Sequence, residues 1–221
     1  MRTVIFDLDG TLADTSADLI AAANARFRAL GHGDVLDPGR DKATAFRGGR
    51  AMLRLGYERL GLSRVDAEAD SDYARLLEDY ADALDRETRL YPGAAEAVTD
   101  LREAGYALGI CTNKPADLAE ELMRRLGVRD LFASLVGAGS LPVRKPDPAP
   151  YRAAVEQAGG VLARSLLVGD TETDRATGRA AGVPVILVTF GPEGRAVEAL
   201  QAEGYLDDYA GLARAVAALI G

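Results

Sequence analysis

The order of strand-like and helix-like segments constrains this chain most. From about residue 90 onward, short β-rich runs alternate with helical stretches: Gly93–Ala104 reads as a helix, Tyr106–Thr112 as a strand, Pro115–Leu126 as a helix, Ser134–Gly137 as a strand and Ala149–Ala158 as a helix. Arg164–Gly169, Glu172–Ala181 and Pro184–Thr189 continue as strand, helix and strand, and no element is read beyond Thr189. Thr3–Leu8 is almost continuously apolar, as a strand covered on both faces of a parallel sheet must be. Residues 14–87 carry only helical periodicity, over Ala17–Leu30, Thr44–Leu60 and Ala67–Asp85. The expected architecture is α/β: a doubly wound, mostly parallel sheet formed by residues 1–13 and 88–221, with an α-helical domain of residues 14–87 inserted after the first strand.

A net charge of −8 over 221 residues argues against nucleic acid as a partner. The single cysteine, Cys111, excludes a disulfide framework and a cysteine-rich zinc site. The opening MRTVIFDLDG has no basic region followed by an apolar stretch, and no uncharged run of about 18 residues occurs. A cytoplasmic protein with no membrane partner is expected, as a monomer or a homodimer. The inserted segment is electrically lopsided: Arg26–Arg64 holds nine basic and four acidic residues, Val65–Glu87 two basic and nine acidic. Its first half is therefore expected to be able to face an anion.

Successive side chains in a strand alternate faces, so Asp7 and Asp9 should point the same way with Cα atoms about 6.6 Å apart. They stand at the carboxyl end of the first strand, where open α/β sheets bind ligands, and Gly10 lets the chain turn sharply behind them. An exposed acidic pair opening a loop explains the dipeptide pattern equally well. A second acidic group, Gly169-Asp170-Thr171-Glu172-Thr173-Asp174, lies between a strand and a helix, with Asp170 at the strand's end and Asp174 about one turn into the helix. Alone, these acids read as helix caps. Converging with Asp7 and Asp9 in one crevice, they would repel one another unless a hard cation neutralised them. An all-oxygen ligand set favours Mg2+ over zinc.

Thr112-Asn113-Lys114-Pro115 puts a hydroxyl and an amide where a helix begins, beside N–H groups suited to an anion. Simple capping by Thr112 or Asn113 is the competing account. Lysine is scarce, occurring only as Lys42, Lys114 and Lys145. Lys145, between Arg144 and Pro146-Asp147-Pro148, suits a phosphate or carboxylate clamp. His32, the only histidine, lies in a Gly-His-Gly loop and is read as structural.

In these residues the chain resembles the haloacid dehalogenase superfamily of phosphotransferases, and within it the phosphoglycolate phosphatase group. Phe6-Asp7-Leu8-Asp9-Gly10-Thr11-Leu12 is similar to the first motif of that superfamily, Cys111-Thr112-Asn113-Lys114 to the second, Arg144-Lys145-Pro146 to the third, and Gly169-Asp170 through Asp174 to the fourth. Tyr91-Pro92-Gly93, Ser140-Leu141-Pro142 and Ala180-Ala181-Gly182-Val183-Pro184 carry the narrower resemblance. The resemblance implies a Rossmann-like core with a helical cap. It also implies a Mg2+-dependent phosphatase hydrolysing a small phosphate monoester, foremost 2-phosphoglycolate to glycolate and phosphate, through an aspartyl-phosphate. Asp7 would be the nucleophile, and Asp9 would protonate the leaving alkoxide and then deprotonate water. Asp170, the Asp7 side chain and the Asp9 backbone carbonyl would hold the metal, with Asp174 behind them. Thr112, Asn113 and Lys145 would bind the phosphoryl oxygens.

The insertion resembles a mobile cap that selects substrate. Arg47, Arg50 and Arg54, at offsets of three and seven, are expected on one helix face. With Gly48 and Gly49 allowing close approach, Arg47, Gly48 and Arg50 are candidates for gripping a second anionic group such as the carboxylate of 2-phosphoglycolate. A solvated basic face explains them equally well. A pyrophosphatase, a sugar-phosphate or nucleotide phosphatase, or a sugar phosphomutase of the same superfamily would carry the same core motifs. A non-catalytic binding protein is expected to lack one of these residues, and none is missing.

Overall fold

The computed structural model describes residues 1–221. Its elements in chain order begin with β1 (Thr3–Phe6), β2 (Ala13–Asp14), α1 (Ser16–Ala29), α2 (Lys42–Ala45), α3 (Gly49–Arg59), α4 (Val65–Ala81) and β3 (Arg89–Leu90). They continue with α5 (Ala94–Glu103), β4 (Ala107–Pro115), α6 (Ala116–Arg125), β5 (Ser134–Ala138), α7 (Ala149–Gln157), β6 (Ser165–Gly169), α8 (Glu172–Ala181), β7 (Val185–Val188), β8 (Gly204–Leu206) and α9 (Leu212–Ile220). The chain divides into two compact units, Met1–Asp14 with Leu90–Gly221, and Thr15–Arg89.

The first unit is built on a six-stranded sheet of order β5-β4-β1-β6-β7-β8. Every pairing in it is parallel. β1 lies at the centre with all four residues buried, and Phe6 pairs in register with Ile110 on one side and Val168 on the other. This explains its unbroken apolar run: a strand covered on both faces offers no position for a polar side chain facing water. α7 packs on β1, β4 and β5, while α8 and α9 pack on β6. Ile5, Val136, Tyr151, Leu167, Val185 and Leu187 form a contiguous buried core. The strand order reverses at β1, so the carboxyl ends of β4, β1 and β6 flank one switch point, the place where open α/β sheets form a crevice. No helix is long and apolar enough to cross a membrane.

Three differences from the sequence expectation have local causes. β1 ends at Phe6 instead of Leu8, because the Leu8 carbonyl turns away to accept from Leu12 N at 2.9 Å and Ala13 N at 3.1 Å. β4 runs to Pro115 instead of Thr112, with its register against β5 shifting between Cys111 and Pro115. Such irregularities bend a strand and re-aim its side chains. β8 and α9 lie outside the expected pattern. Three residues hold no strand period, whereas Leu212 and Val216, buried four positions apart in α9, are a signal the segment does carry.

In the second unit, α1, α3 and α4 pack on one another. Phe27 meets Tyr57 edge-on with ring centroids 5.3 Å apart, an approach that Gly56 permits. A Cβ at Gly56 would stand 2.1 Å from Phe27 Cζ. Arg26 and Tyr57 both donate to the buried Asp72 carboxylate. Asp18 accepts from Glu87 N at 3.0 Å and from Thr88 N and Oγ1 at 2.9 and 2.8 Å, joining the two ends of the unit. Thr44–Leu60, expected as one helix, is two: α2 stops at Ala45, and Gly48, with φ +94°, precedes α3. Arg47 therefore precedes the helix that carries Arg50 and Arg54, and the three do not share a helix face. The lopsided charge is answered within the unit, since Arg26 pairs with Asp72, Arg50 with Asp70 at 2.8 Å and Arg54 with Asp66 at 2.6 Å. The two exposed pairs, Arg50 with Asp70 and Arg54 with Asp66, contribute under about 1 kcal/mol each.

Candidate active site

The turn after β1 is the first wall of the site. Asp7 N continues the sheet ladder to Val168 O at 2.8 Å, which sets Asp7 at the strand end. The chain then folds back on itself, with Gly10 at φ +85° and its N–H on Ala13 O at 2.9 Å. A side chain at that φ would be strained, so glycine is the residue that lets Asp9 and Thr11 flank so tight a turn. Thr11, wholly buried, donates from Oγ1 to Asp170 Oδ1 at 2.8 Å. Tyr209, reached from the far end of the chain, donates to the Thr11 carbonyl at 2.8 Å and pins the turn from behind.

The second wall follows β6. Asp170 leaves the strand and Asp174 is the third residue of α8, where it completes a reciprocal cap with Thr171. Asp174 Oδ2 accepts from Thr171 Oγ1 at 2.7 Å and from the N–H groups of Asp170 and Thr171 at 3.2 Å each. Its other oxygen accepts from Lys145 Nζ at 2.6 Å. The capping account of Asp174 is thus realised, and the same side chain also anchors the buried lysine. Gly169 makes this possible, because a Cβ there would lie 2.4 Å from both Cβ and Cγ of Asp174. Gly169→Ala is expected to cost about 1–3 kcal/mol and to release Lys145 Nζ from its second carboxylate. Urea unfolding checks it, and unchanged stability would show that Asp174 moves aside freely.

Lys145 Nζ also stands 3.1 Å from Asp7 Oδ1, so one ammonium bridges both walls. Burial alone would depress its pKa, but the Asp174 and Asp7 carboxylates outweigh that and hold it well above the usual lysine range. Asp7 is pushed up to about 7, chiefly by burial, with Lys145 opposing and Asp174 and Asp9 reinforcing. Asp170 is raised well above the ordinary carboxylate value by burial and by Asp174 and Asp7. Carboxylate oxygens of Asp7, Asp170 and Asp174 lie within 4.8 Å of one another, and Asp170 Oδ2 is buried without a hydrogen-bond partner. A buried, unpaired carboxylate oxygen inside an all-oxygen acidic cluster is what a hard divalent cation satisfies.

Thr112 and Asn113 sit on the irregular end of β4. Neither caps α6, whose start at Pro115 has no side-chain cap. Thr112 Oγ1 accepts from Lys114 N at 3.1 Å, which leaves the hydroxyl proton as its donor. Asn113 Nδ2 donates to Lys145 O at 3.0 Å and its Oδ1 is buried without a partner. Asp9 is met by Lys114 Nζ at 3.0 Å. In the other unit, Arg50 holds Asp70 and lies 3.7 Å over the Tyr73 ring, both within that unit.

The structure thus brings Asp7, Asp9, Thr112, Asn113, Lys145, Asp170 and Asp174 to the carboxyl ends of three adjacent strands, and separates Arg47 and Gly48 from α3 proper. Sequence reasoning assigned no role to Thr11, Lys114, Gly169 or Tyr209. Lys114 had a signal, since it is one of three lysines and follows Thr112-Asn113 directly. Tyr209, by contrast, is 198 positions from its partner Thr11 and carries no local signal.

The profile of the haloacid dehalogenase-like hydrolases matches residues 4–188. The phosphoglycolate phosphatase of Rhodospirillum rubrum is 37% identical over 217 residues, covering 96% of this chain and 89% of that relative. That of Agrobacterium fabrum is 36% identical over 214 residues, covering 96% and 91%. A crystal structure from Haemophilus somnus, described as a predicted phosphoglycolate phosphatase, superposes with a TM-score of 0.85 over 97% of each chain at 24% identity, a likeness of fold.

Proposed function

The chain belongs to the haloacid dehalogenase-like hydrolase family, and on that premise we propose that it is a Mg2+-dependent phosphatase that hydrolyses 2-phosphoglycolate to glycolate and phosphate through an aspartyl-phosphate on Asp7. The observation that carries this reading is the buried convergence of Asp7, Asp170 and Asp174 with Lys145, in which one Asp170 oxygen has no partner. The names of the relatives support the substrate. By the family resemblance, residues 14–87 would be the substrate-selecting cap, and Arg47, Gly48 and Arg50 the residues in it to substitute first.

On this reading Asp7, Asp170 and the Asp9 carbonyl hold Mg2+, with Asp174 orienting its neighbours through the α8 cap. Bound there, the cation neutralises the acidic cluster and draws charge from the phosphoryl oxygens. A carboxylate oxygen of Asp7 attacks phosphorus as the ester oxygen departs. Asp9 gives that oxygen a proton, then takes one from the water that cleaves the aspartyl-phosphate and returns Asp7 to its starting form. On this reading Lys145, Thr112 and Asn113 would supply donors to the equatorial phosphoryl oxygens, the chief catalytic aid in phosphoryl transfer. Lys145 has a second task, restraining the mutual repulsion of Asp7 and Asp174.

The raised Asp7 pKa makes stability depend on pH in a definite sense. Its folded value of about 7 exceeds the ordinary 3.8, so the folded state binds the proton more tightly. That contribution is present below the unfolded value and is lost as pH rises through this window. Metal-free protein is therefore expected to lose melting temperature relative to Asp7→Asn between about pH 4 and 7, and Mg2+ to raise it more at pH 8 than at pH 5. Differential scanning fluorimetry reads both, and a Mg2+ response independent of pH would contradict the assigned burial.

The test of function is phosphate release from 2-phosphoglycolate, pyrophosphate, sugar phosphates and nucleoside monophosphates, with Mg2+ or chelator, against an Asp7→Asn blank. Mg2+-dependent release favouring 2-phosphoglycolate is expected. Preference for another ester would keep the chemistry and discard the substrate, whereas no release from any ester would overturn the hydrolase reading.

A further inference from the structure

We infer that Lys114 recognises a carboxylate on the leaving group, making the site selective for phosphate esters of short hydroxy acids. The inference rests on the phosphatase reading above and deepens it. Lys114 lies on β4 within the stretch between Cys111 and Pro115 where its register shifts, is buried to 7% exposure, and donates from Nζ to Asp9 Oδ1 at 3.0 Å. The two buried lysines stand at different carboxylates. Lys145 lies between Asp7 and Asp174, where phosphorus is attacked, and Lys114 stands beside Asp9, the residue that must meet the departing oxygen.

The chemistry of the ester then places its second charge. To protonate the bridging oxygen, Asp9 must lie within hydrogen-bond distance of it. In 2-phosphoglycolate the carboxylate is one methylene removed from that oxygen, so an ammonium already bonded to Asp9 reaches the carboxylate as well. An ammonium is a compact charge with three rotatable donors and can serve two acceptors at once. A neutral leaving group offers the ammonium no second anionic acceptor besides Asp9, and a longer hydroxy acid carries its carboxylate out of reach. Arg50, one of the two arginines considered for this task, pairs with Asp70 and stacks on Tyr73, whereas the partner of Lys114 is Asp9 itself.

The experiment compares 2-phosphoglycolate with 2-hydroxyethyl phosphate, of the same length but ending in a neutral alcohol, in the wild type, Lys114→Met and Lys114→Arg. The quantity read is the ratio of kcat/KM for the two esters. Lys114→Met is expected to lower both, because Asp9 loses its tether, and to lower the ratio about 30- to 100-fold, mainly through KM for 2-phosphoglycolate. Lys114→Arg should recover part of the ratio. Equal losses for both esters would overturn the inference and leave Lys114 as a tether for Asp9, and so would a wild type with no preference for the carboxylate. Calorimetric binding of both esters to Asp7→Asn, with and without Lys114→Met, reads the same preference without turnover. Absent turnover with a carboxylate preference that Lys114→Met erases would overturn the hydrolase reading and uphold Lys114.

Discussion

Asp7→Asn is expected to reduce phosphate release by at least about 10⁴-fold while leaving the fold intact. The amide keeps the shape of the carboxylate and an oxygen for the Leu8 N–H, which donates at 2.7 Å to Asp7 Oδ1. It cannot form an acyl phosphate, so the proposed covalent route closes and only positioning remains. Stability should rise at neutral pH, because burial already works against a charged Asp7 and the substitution removes that charge from beside Asp174. The pairing of lost activity with a higher melting temperature separates loss of a nucleophile from loss of structure. Residual activity within tenfold of wild type would mean that another group attacks phosphorus.

Lys145→Met should have the second largest effect, and it should strike stability and activity together. Lys145 is 3% exposed, and its ammonium stands 3.1 Å from Asp7 and 2.6 Å from Asp174. Removing one partner from a buried ionic cluster leaves the others uncompensated, at a cost of about 3–5 kcal/mol. Without Mg2+, the urea midpoint at pH 8 should fall accordingly, and lowering the pH should recover part of it as the acids take up protons. The kcat should fall about 10³-fold, since the donor proposed for the phosphoryl oxygens is lost. Lys145→Arg is not expected to rescue, because a planar guanidinium does not fit a space shaped for a point charge. A midpoint unchanged at pH 8 would show that Asp7 and Asp174 do not depend on the lysine.

Much of the site is legible in the residue order, for a reason visible at Asp7 and Asp170. In a parallel α/β sheet the carboxyl ends of the strands are also where side chains become free to act. A charged residue that ends an apolar run is therefore both a boundary signal and a chemical one. Asp174 shows the limit of that logic, since its position reads equally as a cap or as part of an acidic cluster, and in the folded protein it is both. Arg47 shows where periodicity misleads: an offset of three suggests a shared helix face, but Gly48 at φ +94° ends the helical path between Arg47 and Arg50.

By itself, the sequence determined the α/β class, the helical character of residues 14–87 and the strand ends where the acids gather, because hydrophobic period and turn residues are local properties. Tertiary structure alone decided which charges neighbour which. Lys145 lies 138 positions from Asp7, Lys114 lies 105 from Asp9 and Tyr209 lies 198 from Thr11, and each meets its partner only through the tertiary fold. Electrostatic coupling depends on distance and on exclusion of water, and neither exists until the sheet is assembled.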